Sequence, residues 1–211
     1  MIPFWAYDGQ LKGEPMDQNL RLFIAIELPS EVQETLSTTA HKLATQMLRV
    51  QWANPRGSHL TLKFLGATAP DQVAAITASM HAATHHVRSF TLATTTVGVF
   101  PNQRQPRVIW LGIDGDLERL RHLQQRVEQH IAPLGFPTEE RAFSPHLTLG
   151  RSAKDATPQD RTVIAQAIRA AVAPQPCRWQ VTSISLMRSE LHRDGARYTR
   201  MAEAPLEAKH V

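Results

Sequence analysis

Apolar positions change their spacing repeatedly along this chain, and each change marks an element. Residues 21–29, RLFIAIELP, run apolar with β-branched and aromatic side chains and stop at Pro29, which reads as a buried strand. From Glu31 to Met47 the spacing turns helical, with Val32, Leu36, Ala40, Leu43 and Met47 on one stripe. Ser30, three residues ahead of Gln33, stands in capping-box register at its start. VQW forms a short strand, Asn54, Pro55 and Gly57 a turn, and HLTLKFLG, residues 59–66, the next strand. Pro70 and Asp71 open a second helix reaching His85, and SFTLATTTVGVF, residues 89–100, is rich enough in Thr, Val and Phe to be a strand. The loop PNQRQP leads to RVIWLGID, residues 107–114, another buried strand. Leu117, Leu120, Leu123, Val127 and Ile131 predict an amphipathic helix from Asp116 to Leu134, closed by Pro133 and Gly135. HLTLGR, a helix from Gln159 to Val172, and strands in RWQVTSISLMRS and ARYTRMAEA complete the chain.

Part of this pattern occurs twice. RLFIAIEL, helix and HLTLKFLG correspond to RVIWLGID, helix and HLTLGR. His59 and His146 stand 87 residues apart, and the leading strands, which start at Arg21 and Arg107, 86 apart. A tetrapeptide can recur by accident, so the matched register of the blocks carries more information than His-Leu-Thr-Leu itself. The expectation is an α+β fold of two pseudo-symmetric lobes, with antiparallel sheets flanked by helices. Each lobe would bring one His-x-Thr strand to a central cleft. Residues 20–206 form one bilobal domain in this reading, with 1–19 an N-terminal extension and 207–211 a tail.

On a strand, residues i and i+2 share a face, so His59 and Thr61 point one way while Leu60 and Leu62 enter the core. His146 and Thr148 repeat the arrangement. Two imidazoles titrating near neutrality can act as base and acid on opposite sides of a phosphodiester, with the threonine hydroxyls donating to its non-bridging oxygens. Lys63, two positions beyond Thr61, and Arg151, at the end of the second strand, would add positive charge to the phosphate pocket. A lone His-x-Thr is an ordinary strand pair, but two in matching register are not. A two-histidine metal site would need a carboxylate or a third histidine in comparable placement, and neither strand offers one. No metal or cofactor is therefore expected.

Composition adds limits. The 211 residues suffice for one real core, and the single Cys177 cannot form an internal disulfide, so a free core thiol in a reducing cytoplasm is the expectation. No apolar run is long enough to span a membrane, and the N-terminus lacks the order of a signal peptide. The formal net charge of +4 favours an acidic partner such as RNA only weakly, because Lys and Arg are dispersed. Few exposed apolar stretches make a monomer the default.

RLFIAIELP, HLTLKFLG, FPNQRQPRVIWLGI, SPHLTLGR and a closing strand with Tyr198 together resemble, in order and spacing, the two-histidine phosphoesterase superfamily. Within it they resemble the bacterial and archaeal RNA 2′,3′-cyclic phosphodiesterases, long called 2′-5′ RNA ligases. The resemblance covers residues 20–206 and implies that His59 is the proton donor, His146 the proton acceptor, and Thr61 and Thr148 the phosphate holders. It implies opening of a 2′,3′-cyclic phosphate at an RNA 3′ end to a 2′-phosphomonoester. From the sequence itself the two histidine roles are interchangeable. Arg104 and Arg107, in the loop after Phe100, are either nucleotide contacts or solvated arginines. Phe143 either stacks on a base or packs in the core. A ligase running on the same site, an RNA-end-binding module without turnover and a purely structural duplication are the rival readings.

Overall fold

The computed structural model describes residues 19–46, 49–192 and 195–208. The expected extension, Asn19 excepted, the expected helical position Met47 and tail residues 209–211 lie outside them. In chain order the elements are β1 (Leu20–Glu27), α1 (Ser30–Ala44), β2 (Val50–Trp52), β3 (His59–Thr68), α2 (Val73–Thr84), β4 (Phe90–Phe100) and β5 (Val108–Gly115). Next come α3 (Leu117–Ile131), β6 (His146–Ser152), α4 (Pro158–Ala170), β7 (Arg178–Val181), β8 (Ser183–His192) and β9 (Gly195–Pro205).

The strands form two antiparallel sheets. One has the order β3-β1-β8-β9 and the other β2-β6-β5-β4-β7. Apart from β2, the orders superimpose: β3 on β6, β1 on β5, β8 on β4 and β9 on β7. Helices α2 and α3 pack together over the first sheet, whereas α1 and α4 pack against the second. The α+β class and the pseudo-symmetric pair of lobes match the expectation from periodicity.

The lobes are not, however, the two halves of the sequence. β2 and β4 come from the first half yet lie in the second sheet, while β8 and β9 come from the second half and lie in the first. Each half thus gives strands to its partner. The stretch RWQVTSISLMRS is two strands rather than one: β7 ends at Val181, and after Thr182 the chain crosses to the other sheet as β8.

A single apolar core runs through both lobes and includes Leu60 and Leu62 of β3, Leu147 and Leu149 of β6, Ile24 and Leu111. Each fully buried leucine contributes about 1.5–3 kcal/mol, so the leucines of the two repeats anchor both strands from behind. Two helix starts differ from simple expectation. Ser30 does not cap α1: Pro29 is the N-cap with no side-chain cap, Ser30 lies inside the helix, and Gln33 Nε2 donates instead to the Leu28 carbonyl at 2.8 Å. The capping box forms at α4, between Thr157 and Asp160. At the other end Glu207 is part of the fold, since its backbone pairs with Val87 and Ser89. Among the described residues, no helix is long and apolar enough to cross a membrane.

Candidate active site

The two His-Leu-Thr-Leu segments begin β3 and β6, which come into contact where the sheets meet. His59, Thr61, His146 and Thr148 are half-buried on the cleft side, while Leu60, Leu62, Leu147 and Leu149 are buried. In both strands a β-bulge falls at the second leucine. Ala25 pairs with Thr61 but Ile24 with Lys63, leaving Leu62 extra; Trp110 pairs with Thr148 but Ile109 with Gly150, leaving Leu149 extra.

The bulge corrects the expectation for Lys63. It turns the strand over by one residue, so Lys63 enters the protein and Phe64 takes the cleft side, 62% exposed. The Lys63 ammonium, with its side chain 3% exposed, lies 2.5 Å from the Glu128 carboxylate of α3 and donates to the Pro137 carbonyl at 2.7 Å. It therefore cannot serve the phosphate pocket. In the second lobe the same shift delivers Arg151, exposed, to the position matching Phe64.

Each imidazole is tethered alike. His59 Nδ1–H donates to the Gly57 carbonyl at 2.9 Å, and His146 Nδ1–H to the Ser144 carbonyl at 2.8 Å. A carbonyl only accepts, so the proton of the neutral ring sits on Nδ1 and the Nε2 lone pair is left for chemistry. Aromatic rings hold the imidazoles from the side. Phe23 lies 4.4 Å from His59 and Tyr198 stands edge-on at 4.9 Å, while Phe100 stands edge-on to His146 at 4.9 Å and rests on Trp110 at 5.1 Å. The Trp110 indole lies flat across Gly98, where a Cβ would come within 2.2 Å of the ring. The Thr61 and Thr148 hydroxyls have no hydrogen-bond partner among the described residues and are free to donate.

Burial lowers the pKa of His59 most, opposed by the hydrogen bond to Gly57 and by the negative charge of Glu27, both of which raise it. Burial likewise dominates at His146, opposed by the Ser144 hydrogen bond, but here the positive charge of Arg151 lowers it further. The net direction is downward for both. The neighbouring charges have opposite sign.

The remaining expected residues divide. Arg107 is exposed in the β4–β5 connection, whose end is fastened to β6: the Ser152 amide donates to the Arg107 carbonyl at 3.0 Å and its hydroxyl to the Pro106 carbonyl at 2.9 Å. That fastening puts Arg107 beside the Arg151 end of the strand. Arg104 is exposed further out, where its amide donates to Asn102 Oδ1. Phe143 is half-buried and packs against the main core. Sequence reasoning missed Phe23, Glu27, Phe100 and Trp110. Phe23 and Glu27 occupy the alternate, cleft-facing positions of β1, a signal present in RLFIAIE; nothing local singled out Phe100. Among the described residues no three His, Cys, Asp or Glu side chains cluster so as to hold a metal ion.

The chain is similar to known proteins in both sequence and fold. The family model for the 2′-5′ RNA ligase superfamily matches residues 23–193. The RNA 2′,3′-cyclic phosphodiesterase of Methanothermobacter thermautotrophicus is 30% identical over 182 residues, which span 86% of this chain and 96% of that protein. Among solved structures, TT0787 of Thermus thermophilus superimposes with a TM-score of 0.75 at 26% identity, covering 90% of this chain and 100% of that one. Escherichia coli LigT complexed with 3′-AMP gives 0.69 at 26% identity, covering 89% and 98%.

Proposed function

Because the chain belongs to the 2′-5′ RNA ligase superfamily, among the two-histidine RNA 2′,3′-cyclic phosphodiesterases, we propose that it hydrolyses the 2′,3′-cyclic phosphate of RNA 3′ ends to a 2′-phosphomonoester. His146 Nε2 takes a proton from water as the oxygen attacks phosphorus. The bond from phosphorus to the 3′ oxygen breaks, and the proton on His59 Nε2 passes to that oxygen. Thr61 and Thr148 donate to the non-bridging oxygens, and Arg151 supplies positive charge as negative charge gathers there. Arg107, fastened beside Arg151, is the candidate for the next phosphate or ribose along the strand. No metal takes part.

The observation that carries this reading is the mirrored tether: each Nδ1–H is spent on a backbone carbonyl, so both Nε2 atoms are available on strands that also present an unpartnered threonine hydroxyl. A base and an acid related by a pseudo-twofold suit an in-line displacement, in which attack and departure occur on opposite sides of phosphorus.

The test is incubation with the four nucleoside 2′,3′-cyclic phosphates, the product being identified as the 2′- or 3′-monophosphate. Formation of the 2′-monophosphate is expected, undiminished by EDTA, with His59→Ala and His146→Ala each lowering turnover about 10²–10⁴-fold while the fold persists. Wild-type turnover in either variant, a 3′-monophosphate product, or inhibition by the chelator would each refute the mechanism. Binding of a cyclic-phosphate end with no product under any condition would make the cleft a capture site instead.

A further inference from the structure

The pseudo-twofold raises a question that the proposed reaction depends on. Two histidines with the same tether, the same bulge and the same threonine neighbour would share one proton evenly, and half of the singly protonated molecules would carry it on the wrong ring. The register of the sheets shows where the symmetry fails. Glu27 of β1 lies directly opposite His59, whereas the residue opposite His146 on the equivalent strand is Gly112. Three residues beyond each threonine, where the bulge turns the strand, the first lobe has Phe64 and the second Arg151. One lobe therefore adds a carboxylate beside its imidazole, and the other adds a guanidinium.

Glu27 is held in place. Its Oε1 accepts from the Ser185 hydroxyl of β8 at 2.5 Å, the Ser185 residue being 1% exposed, and from Arg200 of β9 at 3.3 Å. Arg200 is shared with Glu203, so its positive charge is divided between two carboxylates. The charged groups around His59 are Glu27 on β1, Arg200 and Glu203 on β9 and exposed Arg56 in the preceding turn, with the Tyr198 phenol ring edge-on. Among them Glu27 is the one whose charge acts on the ring. Near His146 the charged residues are Arg151 on its own strand and Asp114 on β5, two residues beyond Gly112, while Arg107 sits at the far, Ser152 end of β6; of these it is Arg151 that acts on the ring. Glu27 itself is 43% exposed, but the hydroxyl of buried Ser185 and the guanidinium of Arg200 fix its carboxylate where a free surface glutamate would keep its rotamer freedom.

We propose that Glu27 is the positioning residue that keeps the site's proton on His59, so that a nearly symmetric pair of histidines works as acid and base in one direction only. The inference rests on the assignment of His59 as acid and His146 as base made above. Glu27 does not touch the reacting atoms; it acts through the imidazole opposite it. Arg151 has a double part: it meets the phosphate and keeps His146 neutral. Gly112 matters for the same reason, since a carboxylate opposite His146 would put a second proton where the base must be free.

The experiment is Glu27→Gln, which preserves the shape and an oxygen that accepts from Ser185, read by two methods. In the rate profile for a nucleoside 2′,3′-cyclic phosphate, the high-pH limb reports loss of the proton from the acid. In E27Q that limb moves to lower pH, so the rate on the alkaline side falls about three- to tenfold, while on the acid side it stays within about twofold of wild type. In an NMR titration of the histidine Cε1–H signals without substrate, the His59 midpoint moves down in E27Q and the His146 midpoint stays. Arg151→Gln, judged by the same titration alone, moves the His146 midpoint up and leaves His59. A uniform loss of rate with an unmoved limb would make Glu27 a packing residue and overturn the proposal, as would a His59 midpoint that does not shift. Failure of the wild-type protein to turn over any cyclic phosphate would instead strike the proposed function, and the NMR titration would still decide whether Glu27 governs the proton.

Discussion

Removal of the Glu128 side chain should be among the most damaging changes outside the cleft. Lys63 Nζ is enclosed by the Glu128 carboxylate and the Pro137 carbonyl, on a side chain 3% exposed, while Glu128 is 12% exposed and also accepts from Gln124 Nε2 at 3.2 Å. Glu128→Ala leaves a buried ammonium with one carbonyl and no countercharge. Removing one partner of a buried pair costs about 3–5 kcal/mol. For a domain near 190 residues each kcal/mol lowers Tm by about 2–4 °C, so a drop of about 6–20 °C is expected by calorimetry. Lys63→Met should cost less, about 1–3 kcal/mol, because Glu128 keeps Gln124 and some contact with water. The double variant K63M/E128L, with both charges gone and the volume filled, should recover much of the loss and come within about 2 kcal/mol of wild type. The reasoning is refuted if E128A unfolds within about 1 kcal/mol of wild type, or if the double variant is no more stable than E128A. The same variants should weaken catalysis even when folded, because the pair anchors the strand directly behind Thr61 and ties it to the segment that leads to His146.

Gly98→Ala should destabilise by about 1–3 kcal/mol and blue- or red-shift the Trp110 fluorescence, since a Cβ 2.2 Å from the indole must push it off the sheet and with it Phe100; an unchanged spectrum and Tm would count against the stacking described. Stability should also depend on pH through the two site histidines. Burial lowers both pKa values in the fold, so the unfolded chain binds more protons as pH drops below the free-histidine value of about 6.5. The contribution is complete above that value and is lost as pH falls through it. Urea midpoints should therefore decline from about pH 7.5 to about pH 5, and less steeply in His59→Gln/His146→Gln; parallel slopes in the two proteins would disprove the assignment.

Much of this was legible from residue spacing. The strand, helix and His-x-Thr blocks and their 87-residue offset predicted the paired lobes, because alternation and helical stripes depend on local chemistry. The site of Lys63 was not legible from simple alternation, since a bulge depends on which residue of the neighbouring strand is opposite. One clue was present: after Leu60 and Leu62 the next buried leucine is Leu65, three positions on, where unbroken alternation would require two or four. The strand exchange was less accessible still. VQW carries no mark of which sheet it joins, and RWQVTSISLMRS reads as one strand until Thr182 is seen to cross between sheets. At α1, Ser30 and Gln33 had the right spacing for a cap, but the chain turns into the helix one residue earlier, at Pro29.

The exchange of strands between halves has a mechanical consequence. In an enzyme whose two halves are joined only by a linker, the halves can swing apart and the catalytic groups part with them. Here, opening the cleft as a hinge between sequence halves would require unzipping β1 from β8 in one sheet and β4 from β5 and β7, and β2 from β6, in the other, many ladder hydrogen bonds at once. Each sheet is therefore held as one piece by ladders between strands of both halves, and the apolar core packed through both lobes, not a linker, sets the gap between the imidazoles, like the jaws of a caliper cut from one block. Such a site selects its substrate by admitting what already fits the gap, and a nick in the connection between β4 and β5 should leave that gap unchanged.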